Sequence, residues 1–448
     1  MFDSPWLYRL FHRRTVKRLT GESKADVVII GGGISGILTA YYLLTETERD
    51  VLLLEADRMA QGATGHNAGV VTGYIERPVV EMIEEYGKEM TVAGIREVVD
   101  GWKLFEAFRS EIKPSTPIYD TEEKAGCILD PCLLSVLEDQ AALRGTGVAM
   151  EKVEVAEEAL SDPRLQPYAG LYESVPHARI MDELQTRRFD YVGIGRVRAA
   201  CTNSAALCEE VLSYCHARFP DRFRSYEHSR VTEVAFEEGK TMVSGKTFRL
   251  AANAMVLCTN GYAPDFLGSV TASITPGILD RLHRYVAYMA GFYEEEVPVS
   301  ASTYFFDDPA DWLPYYYLTT RPSGEKAAHR KSLFCIGGPE RKLARDEKYH
   351  HHDPFPQEFS DGIRTFLHEH STLLSPGSRP FHHQWHGLMG YTENRIRWVG
   401  RDRLADNLYW NLGCNGIGLL PAFMGAKRIA RLVNGEKLEP SIFDVPHS

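Results

Sequence analysis

The stretch Asp26-Val-Val-Ile-Ile-Gly-Gly-Gly-Ile-Ser-Gly-Ile-Leu-Thr-Ala-Tyr-Tyr-Leu-Leu44 reads as a buried strand, a glycine turn and the start of a helix. Gly31, Gly33 and Gly36 fit G-x-G-x-x-G. The first allows a tight turn, the second lets backbone approach a pyrophosphate, and the third lets helix and strand pack closely. Amides opening the helix, around Ile34 and Ser35, would then face phosphate oxygens. A second apolar strand, Val51-Leu-Leu-Leu-Glu55, ends in an acid 24 residues after Gly31, near the spacing of a carboxylate that holds a ribose hydroxyl. Glycine turns are common, so the motif alone is weak. Its context of strand, helix, second strand and acid makes it a dinucleotide site.

Past Glu55 the chain does not enter another regular strand–helix unit, as a nicotinamide domain normally would. It runs into a small-residue loop, Gln61-Gly-Ala-Thr-Gly-His-Asn-Ala-Gly69, suited to close passage along an extended cofactor. With these motifs the chain resembles the D-amino-acid-oxidase-type FAD-dependent oxidoreductases, in their amine-oxidising branch of γ-glutamylputrescine-oxidase-like and sarcosine-oxidase-like proteins. The resemblance runs from about residue 26 to 435 and is faint from 77 to 200. It implies FAD as cofactor and a Rossmann-like α/β cofactor domain interleaved with an α+β substrate domain on an antiparallel sheet. It further implies cofactor contacts from Gly62, Ala63, Thr64, Gly65, His66, Asn67 and Ala68, and from Val231 on a strand beside the adenine.

Length and composition agree with a soluble two-domain protein: 448 residues, 44% hydrophobic and 25% charged. A net charge of -11, with no Lys/Arg stripe, argues against a nucleic-acid partner. The eight cysteines contain no C-x-x-C pair, and a chain of this size with no evident signal peptide is not expected to be disulfide-framed. Nothing reaches the ~18 apolar residues of a membrane span. Residues 1–24, with Arg9, Arg13, Arg14, Lys17, Arg18, Trp6, Leu7 and Phe11, are read as a lead-in helix packed on the cofactor domain rather than a transit peptide, which would be richer in Ser. A cytoplasmic location follows.

The cofactor domain is expected from residues 25–80, 195–265 and 385–440, and the substrate domain from 81–194 and 266–384. Helical spacing covers 81–112 and 203–218. An apolar strand at 254–262 ends in Asn260 and Gly261, resembling the family's returning strand. Between 273 and 338 short aromatic and β-branched runs predict antiparallel strands at 283–293, 315–320 and 332–337. Asn407-Leu-Tyr-Trp-Asn-Leu-Gly-Cys-Asn-Gly-Ile-Gly418 reads as a strand and turn before a helix from 421 to 434. The amides around Gly413, Cys414, Asn415, Gly416, Ile417 and Gly418 are the candidates to face the flavin's O2 edge.

Oxidation of an amine at a flavin needs a neutral amine, its C–H held against flavin N5, and support for the reduced ring. His66 aligns with the histidyl position of a loop G-S-T-W-H-A-A-G in dimethylglycine- and sarcosine-dehydrogenase-like proteins, where it bonds covalently to the flavin. Ala63, Gly65 and Asn67 depart from that loop, so a non-covalent His66 against the ring stands beside the covalent one. Relatives that take amino acids clamp the carboxylate with an Arg after a Trp-x-Gly; here Trp385-His-Gly-Leu-Met-Gly390 has Met389 in that place. The following Tyr391-Thr-Glu-Asn-Arg395 resembles the T-x-N-R of γ-glutamylputrescine-oxidase-like proteins, favouring an amine without an α-carboxylate, although Arg284, Arg321, Arg395 and Arg397 stay as candidates for a clamp. Tyr315, Tyr316, Trp385 and His66 are the catalytic candidates, with Tyr315 and Tyr317 on one strand face and Tyr316 on the other. Cys335 stands where sarcosine-oxidase-like proteins carry an oxygen-activating Lys, which leaves oxygen or another electron acceptor open. His350-His-His-Asp353 is read as a solvated loop, and no metal is assigned. The competing readings are a nicotinamide dehydrogenase, a flavoprotein subunit without independent catalysis, and a tRNA-modifying oxidase.

Overall fold

The computed structural model describes residues 4–8, 10, 15–149, 152–237, 239–267, 274–295, 297–304, 315–323, 331–372 and 381–446. β1 (Gly21–Ile30) begins ahead of Asp26 because its first half pairs with a later strand. α1 (Ile34–Glu46) follows the glycine turn, and β2 (Val51–Leu54) lies parallel to β1. Val27 and Ile29 enter one core and Val28 and Ile30 another, which explains the unbroken apolar run. Each such burial contributes roughly 1.5–3 kcal/mol.

Short β3 (Val70–Thr72) leads to α2 (Val79–Tyr86) and α3 (Lys88–Ile112), where spacing predicts a single helix. Gly87 at φ +79° breaks it, a backbone conformation glycine holds at low cost. Then come β4 (Ile118–Cys127), α4 (Leu134–Leu143), β5 (Lys152–Ala156), β6 (Glu173–Val175), α5 (His177–Leu184) and β7 (Gly193–Thr202). α6 (Ser204–Arg218) starts where expected, its first turn capped by Asn203, whose side chain accepts the Ala206 amide. β8 (Phe223–Tyr226), β9 (Val231–Glu237), β10 (Lys240–Gly245), β11 (Phe248–Leu257) and a short α7 (Ala263–Leu267) follow. The chain then builds β12 (Leu282–Glu295), β13 (Ser300–Tyr304), β14 (Tyr316–Pro322) and β15 (Lys331–Lys342). It ends with α8 (Gln357–His370), β16 (His383–Thr392), β17 (Trp398–Arg401), β18 (Leu408–Leu412) and α9 (Leu419–Val433).

Two sheets result. The first has the order β17-β18-β11-β1-β2-β8, with β9 and β10 attached through β11; its central neighbours are parallel. The second has the order β16-β12-β15-β14-β13-β4-β7-β5-β6, with β3 on β7, and is mostly antiparallel. The division expected from sequence differs at three places: β3, β7 and β16 all join the second sheet. Chain passes between the layers there, so a boundary drawn on composition falls a strand early or late. α1 packs between α6 and α9, and α3 crosses α9 with Phe105 and Phe108 edge-on to Phe423. α8 covers the far face of the second sheet.

The expected lead-in helix is corrected. Residues 5–8 form turns, residues 15–20 have no regular structure, and residue 21 already belongs to β1; Arg9, Phe11, Arg13 and Arg14 lie outside the described residues. The segment does pack on the cofactor loop: Trp6 and Leu7 are buried, and the Trp6 indole donates to the Asn67 carbonyl at 2.5 Å. Among the described residues no helix is long and apolar enough to cross a membrane.

Candidate functional site

A cavity of about 700 Å³ runs from the C-terminal ends of β1, β2 and β11 to the inner face of the second sheet. At its first end the glycine turn has the expected tolerances. A Cβ on Gly31 would lie 2.6 Å from the Cys258 carbonyl oxygen, and one on Gly36 would lie 1.9 Å from the Gly31 oxygen. Gly36 therefore serves close packing and does not line the cavity, whereas Gly31, Gly33, Ile34 and Ser35 do. Gly33 caps the 13-residue α1 with no side chain, and the Ile34 amide donates to Thr64 Oγ1 at 2.9 Å. Glu55 is half-buried against the turn and accepts the Gly32 amide at 2.7 Å and the Asp57 amide at 2.8 Å. Burial raises its carboxyl above the usual range, and those amides partly offset the rise. Ser229, Arg230 and Val231 line the cavity beyond it.

The loop at 61–69 turns through a short 3-10 segment, Ala63–Gly65. Gly62, Ala63, Thr64, His66, Asn67 and Ala68 line the cavity; Gly65 lies beneath it, where a Cβ would come within 2.7 Å of the Leu7 side chain. Asn67 ties the loop to itself through the Thr64 carbonyl and the Gly69 amide. His66 is buried, with Nδ1 3.0 Å from the Gly62 carbonyl oxygen. A carbonyl only accepts, so Nδ1 carries the proton and Nε2 keeps its lone pair. Burial lowers the imidazole to about 4, assisted by His351 and His386.

Opposite, Asn260 lines the cavity with its Oδ1 accepting the Cys414 amide at 3.1 Å, while Gly261 is outside it, pressed on the Met389 carbonyl. Gly413, Asn415 and Gly416 take positive φ, as the turn into α9 requires. Cys414, Gly416, Ile417 and Gly418 line the cavity; Gly413 and Asn415 shape the turn, Asn415 by accepting the Thr392 amide at 2.8 Å. The 15-residue α9 opens at Gly418 without a side-chain cap. Two helix N-termini that begin on glycine thus face one elongated cavity, a donor set that fits a pyrophosphate at α1 and a negative ring edge at α9. FAD fits these residues.

The other end is polar in a way the sequence did not announce. Glu76, Glu123 and Glu340 line it, with Tyr74, Tyr315, Tyr317, Thr303 and Met389. Tyr315 donates to Glu76 at 3.1 Å, and Tyr74 and Thr303 donate to Glu123 Oε1 at 3.0 and 2.6 Å. Burial pushes Glu76 up to about 7, with Glu123 adding to the rise, and Glu340 up to about 8, with Glu76 adding. Glu123 is raised by burial and held back by its hydroxyl donors. Each is a single acid in a stretch with no motif. Glu340 opens the charged end of β15, Glu340-Arg341-Lys342, and so reads as an exposed strand terminus.

None of the four arginines kept as candidates forms a clamp there. Arg284 pairs with Asp265, Arg321 is buried on the carbonyls of Thr202 and Ala68 with its plane over Trp6, Arg397 is held by Ser35 and Asn411, and Arg395 is exposed. Two catalytic candidates are corrected. Tyr316 faces away and stacks on Phe366 at 4.1 Å, leaving Tyr315 and Tyr317 on the cavity side. Trp385 is 3% exposed in the core against Gly291, outside the cavity. Cys335 is also buried outside it, its thiol pushed up to about 12 by burial. Residues 350–352 form a turn with His350 and His352 exposed, as a solvated loop would, while His350 and His351 also line the cavity and the imidazole nitrogens lie within 4.8 Å of one another.

This geometry agrees with what the chain is similar to. Residues 26–432 match the family described as FAD dependent oxidoreductase, and the chain belongs to that family. Over 60 residues it is 40% identical to 4-methylaminobutanoate oxidase (formaldehyde-forming) of Paenarthrobacter nicotinovorans, covering 13% of this chain and 7% of that protein. Over 51 residues it is 45% identical to mitochondrial dimethylglycine dehydrogenase of Rattus norvegicus, covering 11% and 6%. The matches therefore span a small part of those longer relatives. The crystal structure of glycine oxidase from Geobacillus kaustophilus superposes with a TM-score of 0.65 at 13% identity, covering 95% of this chain and 99% of that one. The shared fold is plain, and FAD is the family's cofactor.

Proposed function

We propose that the protein dehydrogenates the C–N bond of a cationic amine that carries no α-carboxylate, giving an imine that hydrolyses. The observation that carries this reading is the charge of the substrate end: carboxylates and phenols line it, and the arginines weighed as a clamp are engaged or exposed. An ammonium matches that lining, whereas a carboxylate would meet like charge. Met389, which lines the cavity where relatives carry the clamp, supports the same choice. The two relatives named above act, by their names, on methylated amines that carry a carboxylate, so they support the amine but not the missing carboxylate.

The bound flavin supplies the hydride acceptor. Glu76, close to neutrality and beside the turn that opens α9, is placed to take the ammonium proton, leaving the nitrogen lone pair free to stabilise the developing iminium. Tyr315 steers that carboxylate through its hydrogen bond. We assign the first sheet and its helices to cofactor binding and the inner face of the second to substrate. The residues that line the first end of the cavity are the proposed FAD contacts. Oxygen or another acceptor closes the cycle, no nucleic acid takes part, and a cytoplasmic setting is supported by eight free cysteines.

Anaerobic mixing tests this reading. Primary and secondary amines should bleach the flavin faster than glycine, sarcosine or D-alanine. The reverse ranking would overturn it.

A further inference from the structure

We propose that the substrate is a dication of the α,ω-diamine or polyamine type, its reacting nitrogen received by Glu76 and Glu340 and its far nitrogen held by Glu123. The proposal rests on the amine reading above and specifies the charge at the other end of the molecule.

The placement of the three acids carries it. Glu76 lies at the turn into α9: a Cβ on Gly416 would meet Glu76 Oε2 at 2.3 Å and the Tyr391 hydroxyl at 3.0 Å. That is the reacting end. Glu123 comes from β4, the far side of the same sheet, where it is in register with Ala301 of β13. Tyr317 of β14 stands opposite Thr303 of β13 and Gly337 of β15, so β13, β14 and β15 span the distance from Glu123 to Glu340. The acids are therefore spread along the cavity wall.

Their bonding is incomplete in a telling way. Glu123 is 6% exposed, and the Tyr74 and Thr303 hydroxyls both go to Oε1, leaving Oε2 buried with only the neutral Thr72 hydroxyl to act on it. Glu340 Oε2 is likewise buried, with only the neutral Tyr391 hydroxyl to act on it. Native proteins seldom leave buried carboxylate oxygens unmet, so both oxygens are placed for donors from a ligand. Thr303, Tyr74 and Thr72, all hydroxyls, are the groups that act on Glu123; Glu76 and Tyr391 act on Glu340, and exposed Arg395 acts on Glu76. Of the other cations that line the cavity, Lys348 neighbours His350 and His351 by Asp57, Arg230 neighbours Val231, and Arg397 is held by Ser35, all towards the cofactor end. One ammonium at Glu76 would leave Glu123 unmatched. A second supplies a positive charge there, which the neutral hydroxyls around Glu123 do not. A far-end carboxylate placed there would meet the like charge of Glu123.

The test uses the FAD-loaded protein under anaerobic conditions. Flavin reduction is followed with butylamine, 1,4-diaminobutane and 4-aminobutanoate, and Kd is taken from the saturation of the reduction rate. The diamine should bind about tenfold or more tighter than the monoamine, the size of one charge-assisted hydrogen bond in a buried setting, and the amino acid weakest. In Glu123→Gln the diamine-to-monoamine ratio of Kd should collapse towards one. An unreactive probe makes the result independent of turnover and of that variant. An α,ω-diamine with no hydrogen on either α-carbon, such as 2,5-diamino-2,5-dimethylhexane, keeps both ammonium donors but cannot be dehydrogenated, and should perturb the flavin absorption at lower concentration than tert-butylamine. Monoamines binding as tightly as diamines would overturn the dication while leaving amine oxidation intact. A Glu123→Gln protein with full flavin that keeps the diamine advantage would overturn the assignment of Glu123. Reduction by α-amino acids alone would overturn the amine reading and this inference with it.

Discussion

The residues that decide this site are ionisable groups held away from their usual charge state. Glu76 binds its proton more tightly in the fold than in the unfolded chain, so its contribution to stability is full below about 4.5 and is lost as pH rises through about 7. Facing it are Glu123 on β4, Glu340 on β15, Tyr315 beside β14, Tyr391 on β16 and Arg395. Glu340 follows the same sign at slightly higher pH. Without substrate, the melting temperature should therefore fall between pH 5 and 8, and Glu76→Gln should flatten that fall by an amount worth of order 3 kcal/mol. An equal fall in the variant would remove Glu76 from the account. His66 poses the opposite case, neutral at physiological pH with its lone pair on Nε2. We expect acid precipitation to release FAD from the unmutated protein, since Ala63, Gly65 and Asn67 all depart from the loop of the covalent relatives. Flavin retained in the pellet, and lost from it in His66→Ala, would place a bond at Nε2.

Single elements show where sequence speaks and where it does not. The β1–turn–α1 unit was legible because each glycine answers a separate contact, and α6 because Leu207, Val211, Leu212 and Cys215 keep helical spacing and are all buried. Gly33→Val should abolish flavin retention on purification, its side chain pressing on Thr64 and filling the approach to the α1 amides, while the protein stays folded. Gly36→Ala should cost several kcal/mol, because its Cβ would meet a backbone oxygen that cannot move aside. Thermal melts with flavin absorbance separate the two effects. The break at Gly87 was illegible since apolar spacing continues across it. β4, running Ile-Tyr-Asp-Thr-Glu-Glu-Lys from residue 118, hid its strand character behind charge. Glu123 within it looked like surface, because burial of a lone acid is set by partners from β3, β13 and the loop at Tyr74, which no local pattern records.

At the scale of the whole molecule the two sheets are joined by crossing chain and by a cavity that each lines on one side. Family resemblance made that interleaving legible in outline, but the exchange points at β3, β7 and β16 depended on pairing between strands over a hundred residues apart. The same arrangement makes the cofactor a structural bridge. FAD held at the proposed contacts would touch α1 and the loop at 61–69 on one side and the turn into α9 on the other, and so would bind the folded chain and not the unfolded one. At a free concentration 100-fold above its Kd it should add about 2.7 kcal/mol to stability. Removing and then restoring FAD should shift the melting temperature reversibly, and hydrogen exchange should slow in the amides of residues 31–36 and 413–420 together. Protection confined to the first segment would mean that the flavin ring does not reach α9, and the proposed proton transfer to Glu76 would lose its geometry.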